Sequence, residues 1–122
     1  MPILDVEFAL QEGHTVPEKL AGQLADAAGD IFKSPPGTTW VRLRPIPVSC
    51  YAENGVSEPE GRNAVFVSVL KALATSGDDL EREIGALTNA VAEACGRKPE
   101  NVHILYQPPA AGRIAFGGRL RT

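Results

Sequence analysis

The chain has 122 residues, 43% of them hydrophobic and 22% charged, with a formal net charge of −3, as in one soluble globular domain spanning residues 1–122. No basic excess is available to neutralise phosphates, which argues against general nucleic-acid binding. No apolar run approaches the ~18 residues of a membrane span, and the N-terminus, acidic from Asp5, lacks the basic start of a secretory leader. A cytoplasmic protein without nucleic-acid or membrane partners is therefore expected.

In chain order, Leu4, Val6, Phe8 and Leu10 alternate with Asp5, Glu7 and Ala9, the two-residue period of a half-buried strand. Pro2 stands directly before it. Such a small second residue favours removal of Met1, which would leave a secondary amine fixed at a sheet end. Gln11–His14 reads as a loop. Thr15 and Glu18 have capping-box spacing, and Leu20, Leu24, Ala27 and Ile31 then mark one apolar helix face. Lys33-Ser34-Pro35-Pro36-Gly37 stops that helix. Trp40, Val41 and Leu43, flanked by Arg42 and Arg44, give a second strand, limited or made an edge by Pro45 and Pro47. Residues 48–62, with Gly55, Pro59 and Gly61, read as a connecting loop, with a short strand possible at 48–51.

Ala64–Leu70 is a nearly continuous apolar run, suited to a strand covered on both faces. Ser76 and Asp79 repeat the capping spacing. Leu80, Ile84, Leu87 and Val91 repeat the first helix's apolar offsets, shifted by sixty residues at every position. Gly96–Pro99 ends the helix, and Val102–Tyr106 supplies another strand. The glycine-punctuated tail, Gly112–Gly118, reads as a turn or short hairpin. Cys50 and Cys95 are isolated thiols, expected to be free, although a disulfide remains open. His14 and His103 lie too far apart in sequence to suggest a zinc site.

The pattern is strand–helix–strand, twice, in pseudo-repeats of about 2–58 and 63–122. Right-handed parallel crossovers would give an α/β (α+β) domain with a four-stranded sheet and both helices on one face. The uncovered sheet face then predicts self-association, sheet face to sheet face.

Pro2-Ile3, Lys33 before Pro35-Pro36, the strand Val41-Arg42-Leu43, and the ending Ala111–Gly118 occur together in an order that resembles the tautomerase superfamily. The resemblance spans essentially the whole chain. It is greatest to the branch of macrophage migration inhibitory factor and 5-carboxymethyl-2-hydroxymuconate isomerase. That likeness implies a homotrimer and a keto–enol tautomerase needing neither metal nor organic cofactor. It implies Pro2 as the catalytic base and Lys33 as an active-site lysine. It also places Arg42 where the oxalocrotonate branch has a strand arginine, and His103 where a tyrosine stands at the site rim. Ile114 or Phe116 falls near a pocket-wall aromatic. Arg113, beside glycines in the tail, is a further candidate for substrate binding. Departures from the pattern are the missing arginine after the second-half strand, where Lys71 is the nearest cation, and Leu105 in place of a polar rim residue.

The chemistry is consistent with that likeness. An α-amine titrates near 7.7–8.0, and burial and neighbouring cations lower that value towards ambient pH, where general bases work best. Cations also suit a small acidic substrate such as a 2-oxo acid, which arginine binds through paired hydrogen bonds. Each residue also has a plainer role. Lys33 suits a helix C-terminus, Arg42 and Arg44 suit a solvated strand face, His103 suits packing, and Arg113 suits a turn. The alternatives are a hydratase or dehalogenase of the same superfamily, which needs an added acidic residue near the proline, and a non-enzymatic trimeric binding protein of cytokine type.

Overall fold

The structure, a computed structural model, describes residues 1–57 and 63–122. Pro59 and Gly61, assigned to the connecting loop, lie outside the described residues. The elements run β1 (Ile3–Leu10), α1 (Leu20–Phe32), β2 (Trp40–Pro47), β3 (Val65–Leu70), α2 (Gly77–Cys95), β4 (Val102–Tyr106), β5 (Ile114–Phe116) and β6 (Arg119–Arg121).

Among the described residues, four strands form one mixed sheet in the order β2-β1-β3-β4, and β5 pairs with β6 in a separate two-stranded sheet. β1 runs parallel to β2, and β3 runs parallel to β4. The two units meet where β1 and β3 pair antiparallel, Ile3 opposite Leu70 and Glu7 opposite Phe66. The repeats are thus related by a pseudo-two-fold axis through the sheet centre. β2 is an edge strand, which lets Pro45 and Pro47 stay within it without breaking a ladder on both sides.

Alternation decides which side is dry. Leu4, Val6 and Phe8 of β1 and Val65, Val67 and Val69 of β3 are almost wholly buried. They pack in one cluster with Leu20, Leu24 and Ala28 of α1 and Leu87, Val91 and Ala92 of α2, so both helices cover the same face. The opposite face is open and mixed. It carries Trp40, Arg42, Asp5, Glu7, Phe66, Ser68, His103 and Leu105. β3 is therefore covered on one face only within the chain, with Phe66 exposed on the other.

Local details depart from the expected ones. Thr15 and Glu18 form no capping box. A turn, with the Leu20 amide donating to the Pro17 carbonyl at 3.1 Å, delays α1, and Lys19 stands at its N-cap without a side-chain cap. Pro17 accounts for this, because it disfavours helical backbone at Val16 before it. Ser76 does occupy the N-cap of α2, again without a side-chain bond, while Asp78 and Asp79 favour the positive end of the helix. Val48–Cys50 is a 3₁₀ turn rather than a short strand. Ile84 is 37% exposed, whereas Leu87 and Val91 are buried. Both cysteines are free.

Both helices end in the same motif. After α1, the Ser34 amide donates to Gly29 at 2.9 Å and the Lys33 amide to Asp30 at 3.3 Å. After α2, Arg97 reaches Ala92 at 2.9 Å and Gly96 reaches Glu93 at 3.3 Å. This pairing needs a left-handed residue just past the helix. α2 supplies Gly96, but α1 supplies Lys33 with φ 54°, the only non-glycine with positive φ among the described residues. The tail closes as a hairpin on Gly117 and Gly118, both at positive φ as a two-residue type I′ turn demands.

Candidate active site

β1 begins one residue after Pro2, and Pro2 is buried. Its carbonyl accepts the Trp40 amide at 3.1 Å, which extends the β1–β2 ladder back to the proline. The ring therefore stands at a fixed sheet end. It opens onto a cavity of about 350 Å³ whose walls include Phe32, Lys33, Lys71, Glu83 and Arg121. α1 delivers Phe32 and Lys33 at its C-terminal end. The segment after β3 delivers Lys71 and Thr75. The C-terminal hairpin delivers Arg121.

The hairpin is held at several points. The Gln107 amide donates to Val69 at 2.8 Å, the Ala110 amide to Lys71 at 3.0 Å, and the Gly112 amide to the Arg121 carbonyl at 2.7 Å. Phe116 stacks on Trp40, ring centroids 5.3 Å apart and planes 12° apart. The tail thus lies along the end of the sheet where Pro2 is.

A polar network lines the cavity wall. Lys71 Nζ donates to Glu83 Oε1 at 2.9 Å and to Thr75 Oγ1 at 2.5 Å, and Tyr106 OH donates to Glu83 Oε2 at 2.5 Å. The Lys71 ammonium also lies 5.1 Å from the Phe32 ring centroid. Burial, the hydrogen bond to Glu83 and that carboxylate's charge together push the Tyr106 phenol well above its usual value, which keeps it protonated and donating. The α-amine at this terminus, carried here by Met1, is held below its ordinary 8.0. Burial is the largest cause, followed by the charges of Arg121 and Lys71.

Of the five candidate residues, this cavity brings together Pro2 and Lys33. Arg42 lies on the open sheet face, bound to Asp5 through Nε at 2.6 Å and Nη2 at 2.9 Å, with Arg44 3.9 Å from the same carboxylate. The pair with Asp5 raises the Arg42 guanidinium's pKa. Strand alternation explains the placement: Arg42 is opposite Asp5, and both point away from the helices. His103 is on the same open face of β4, its ring 5.5 Å from that of Phe66. Arg113 is exposed in the turn before β5, its amide bonded to the Ala110 carbonyl at 2.9 Å.

Glu83, Thr75 and Arg121 were not legible as site residues. Glu83 is the most instructive. It lies three residues after Leu80 and four before Leu87, so the helical period itself turns it inward. Ile84, the apolar neighbour, masks that signal. A larger cavity of about 420 Å³, lined by Leu10, His14, Pro45, Pro47 and Ser49 among others, lies at the far end of β1. Among the described residues, no group of three or more His, Cys, Asp or Glu side chains is arranged to hold a metal ion. Among the described residues, no helix is long and apolar enough to cross a membrane.

No protein-family model and no curated protein matches the chain. Solved structures do. A fused 4-OT protein solved as a symmetric trimer superposes with a TM-score of 0.76 at 20% identity, over 98% of this chain and 94% of that one. A macrophage migration inhibitory factor from Oncomelania hupensis gives 0.76 at 18% identity, over 99% of this chain and 82% of its own. A protein solved after inactivation by 2-oxo-3-pentynoate, Pt0534, gives 0.75 at 18% identity, covering 97% and 95%. At these identities the likeness is one of fold.

Proposed function

The chain has the fold of the tautomerase superfamily, and on that premise we propose that it is a cofactor-independent keto–enol tautomerase of 2-oxo acid or hydroxymuconate-type substrates. The observation that carries this reading is Pro2, buried at a sheet end, in a cavity walled by Lys33, Lys71 and Arg121. Removal of Met1 would expose the ring nitrogen as a secondary amine in the setting that already lowers the terminal amine.

In the reaction, the Pro2 nitrogen takes the proton of the enol hydroxyl. The oxygen's electrons form the carbonyl, and the carbon–carbon π pair takes the proton back from the nitrogen at carbon. No electron or atom is gained or lost, so the step needs no redox partner. Cations at the wall bind the substrate carboxylate and stabilise charge developing on oxygen. Lys33 acts within the chain. Arg42, bound to Asp5, and His103 lie on the open face, where copies of the chain pack as a homotrimer, so that Trp40, Phe66 and Leu105 leave water. Arg113 supports the turn that leads into the hairpin.

Ketonisation of phenylenolpyruvate by wild type and Pro2→Ala, with intact-mass measurement of the N-terminus, tests the proposal. Loss of at least tenfold in Pro2→Ala on protein lacking Met1 is expected. Equal activity in the two removes Pro2 from the mechanism. A non-enzymatic binding protein is the outcome if Met1 is retained and wild type is inert.

A second reading, as a hydratase or dehalogenase, is favoured by one observation: Glu83 places a carboxylate at the cavity wall. Both of its oxygens are already engaged, by Lys71 and Tyr106, which is why proton transfer is preferred to water activation. Halide release from a 3-haloacrylate would reverse that preference.

A further inference from the structure

Proline-based proton transfer leaves Glu83 without a task. Its side chain is only 12% exposed, and that of Lys71 20%. The carboxylate is shared, one oxygen for Lys71 and the other for Tyr106. Thr75 closes the arrangement: its hydroxyl accepts from Lys71 and lies 3.2 Å from the same Glu83 oxygen. Lysine is a flexible chain with three donors and shifts position readily. Here two donors are taken and the Phe32 ring supports the ammonium, so the charge has a fixed place.

The other two cations of the cavity differ. Among the described residues, no side-chain carboxylate lies within ion-pair distance of Lys33. Arg121 Nη1 already donates to the terminal Thr122 oxygen. A cation already paired gains less from a second anion than one without a carboxylate partner.

Resting on the tautomerase reading, we propose that Glu83 is a positioning residue that pins Lys71 as a fixed charge in the cavity that holds the N-terminus, leaving Lys33 to receive the substrate carboxylate. The groups sharing that cavity include Lys33 from the end of α1, Lys71 and Thr75 from the segment after β3, Glu83 from α2 and Arg121 from β6. Tyr106 of β4 reaches the group through Glu83. Lys71 and Arg121 act on the terminal amine, and Lys33 acts on the substrate.

The test is titration of the ¹⁵N-labelled N-terminal nitrogen by NMR, alongside the pH dependence of phenylenolpyruvate ketonisation. Lys71→Met is expected to raise the midpoint by roughly half a pH unit, because a nearby cation is lost. Glu83→Gln releases Lys71 towards solvent but also removes a carboxylate from the wall, and the two act on the midpoint in opposite directions, so its midpoint lies below that of Lys71→Met. The double variant matches Glu83→Gln alone, since without Glu83 the lysine no longer acts from a fixed place. Glu83→Asp, which keeps the charge, restores part of the Lys71→Met effect and covers the case in which the glutamine variant is poorly folded. KM for the anionic enol rises about tenfold in Lys33→Met, a loss of roughly 1.4 kcal/mol, and by less than twofold in Lys71→Met. A midpoint that Lys71→Met still raises in the Glu83→Gln background, or a tenfold KM rise in Lys71→Met, overturns the assignment. Inert wild-type protein would instead sink the tautomerase reading, while the nitrogen titration would still report on Glu83 and Lys71.

Discussion

Lys33 occupies a left-handed backbone position, φ 54°, at the mouth of the Pro2 cavity. A non-glycine there costs about 1–2 kcal/mol, of which glycine's greater freedom in the unfolded chain would take back about 0.5–1. Lys33→Gly is therefore expected to stabilise the fold by about 0.5–1 kcal/mol in denaturant titration. In the same variant KM for an anionic enol should rise. Gains in stability and binding together would show that the lysine has no part in recognition. The terminal amine makes a second prediction at this scale. Its value is lower in the folded chain than 8.0, so between the two the unfolded state binds more protons, and stability rises with pH across that window. On the proposed mechanism the unprotonated Pro2 amine is the base, so kcat/KM of protein lacking Met1 should rise with pH. Arg121→Met should move that limb upward, because the guanidinium is the larger of the two charge effects that lower the terminal amine. A downward shift would contradict the placement of Arg121.

The C-terminal hairpin matters less for the core than for the site. Among the described residues β5 and β6 pair with each other alone, and the Trp40–Phe116 stack fixes them against β2. Aromatic pairs contribute about 0.5–1.5 kcal/mol beyond their buried area. Phe116→Ala should thus lower stability modestly yet raise KM several-fold, because Arg121 rides on the hairpin. Steady-state kinetics with a parallel melting curve checks this. An unchanged KM would mean that the stack does not set the position of Arg121. α2 shows the converse. Leu87, 1% exposed, anchors the helix that carries Glu83, and Leu87→Ala should cost about 2–5 kcal/mol in an unfolding experiment.

At the scale of the whole molecule, the sheet has one face sealed by both helices and one left open. The open face mixes Phe66 and Leu105 with the Asp5–Arg42 pair, and Leu105 is 64% exposed. A homotrimer built on this face would cover the apolar side chains, and opposing charges would fix how copies meet. Leu105→Asp, which touches nothing in the helical core, should shift the mass measured by light scattering from trimer to monomer. A wild-type monomer, or a trimer unmoved by the substitution, would place the interface elsewhere.

Alternation in β1, the repeated apolar offsets in both helices and the prolines of β2 were enough to establish two strand–helix–strand units and a sheet with one helical face. Those features are periodic and local, so they are written along the chain. The place of Pro2 at a sheet end was legible for the same reason, since it directly precedes a strand. Arg42, His103, Glu83 and Arg121 were not placeable in that way. Strand parity turned the first two away from the Pro2 cavity, whereas the turn of α2 brought Glu83 inward and a hairpin clamped on Trp40 carried Arg121 back to the amine. Proximity between residues eighty or more positions apart depends on how elements pack, and only the tertiary structure fixes that.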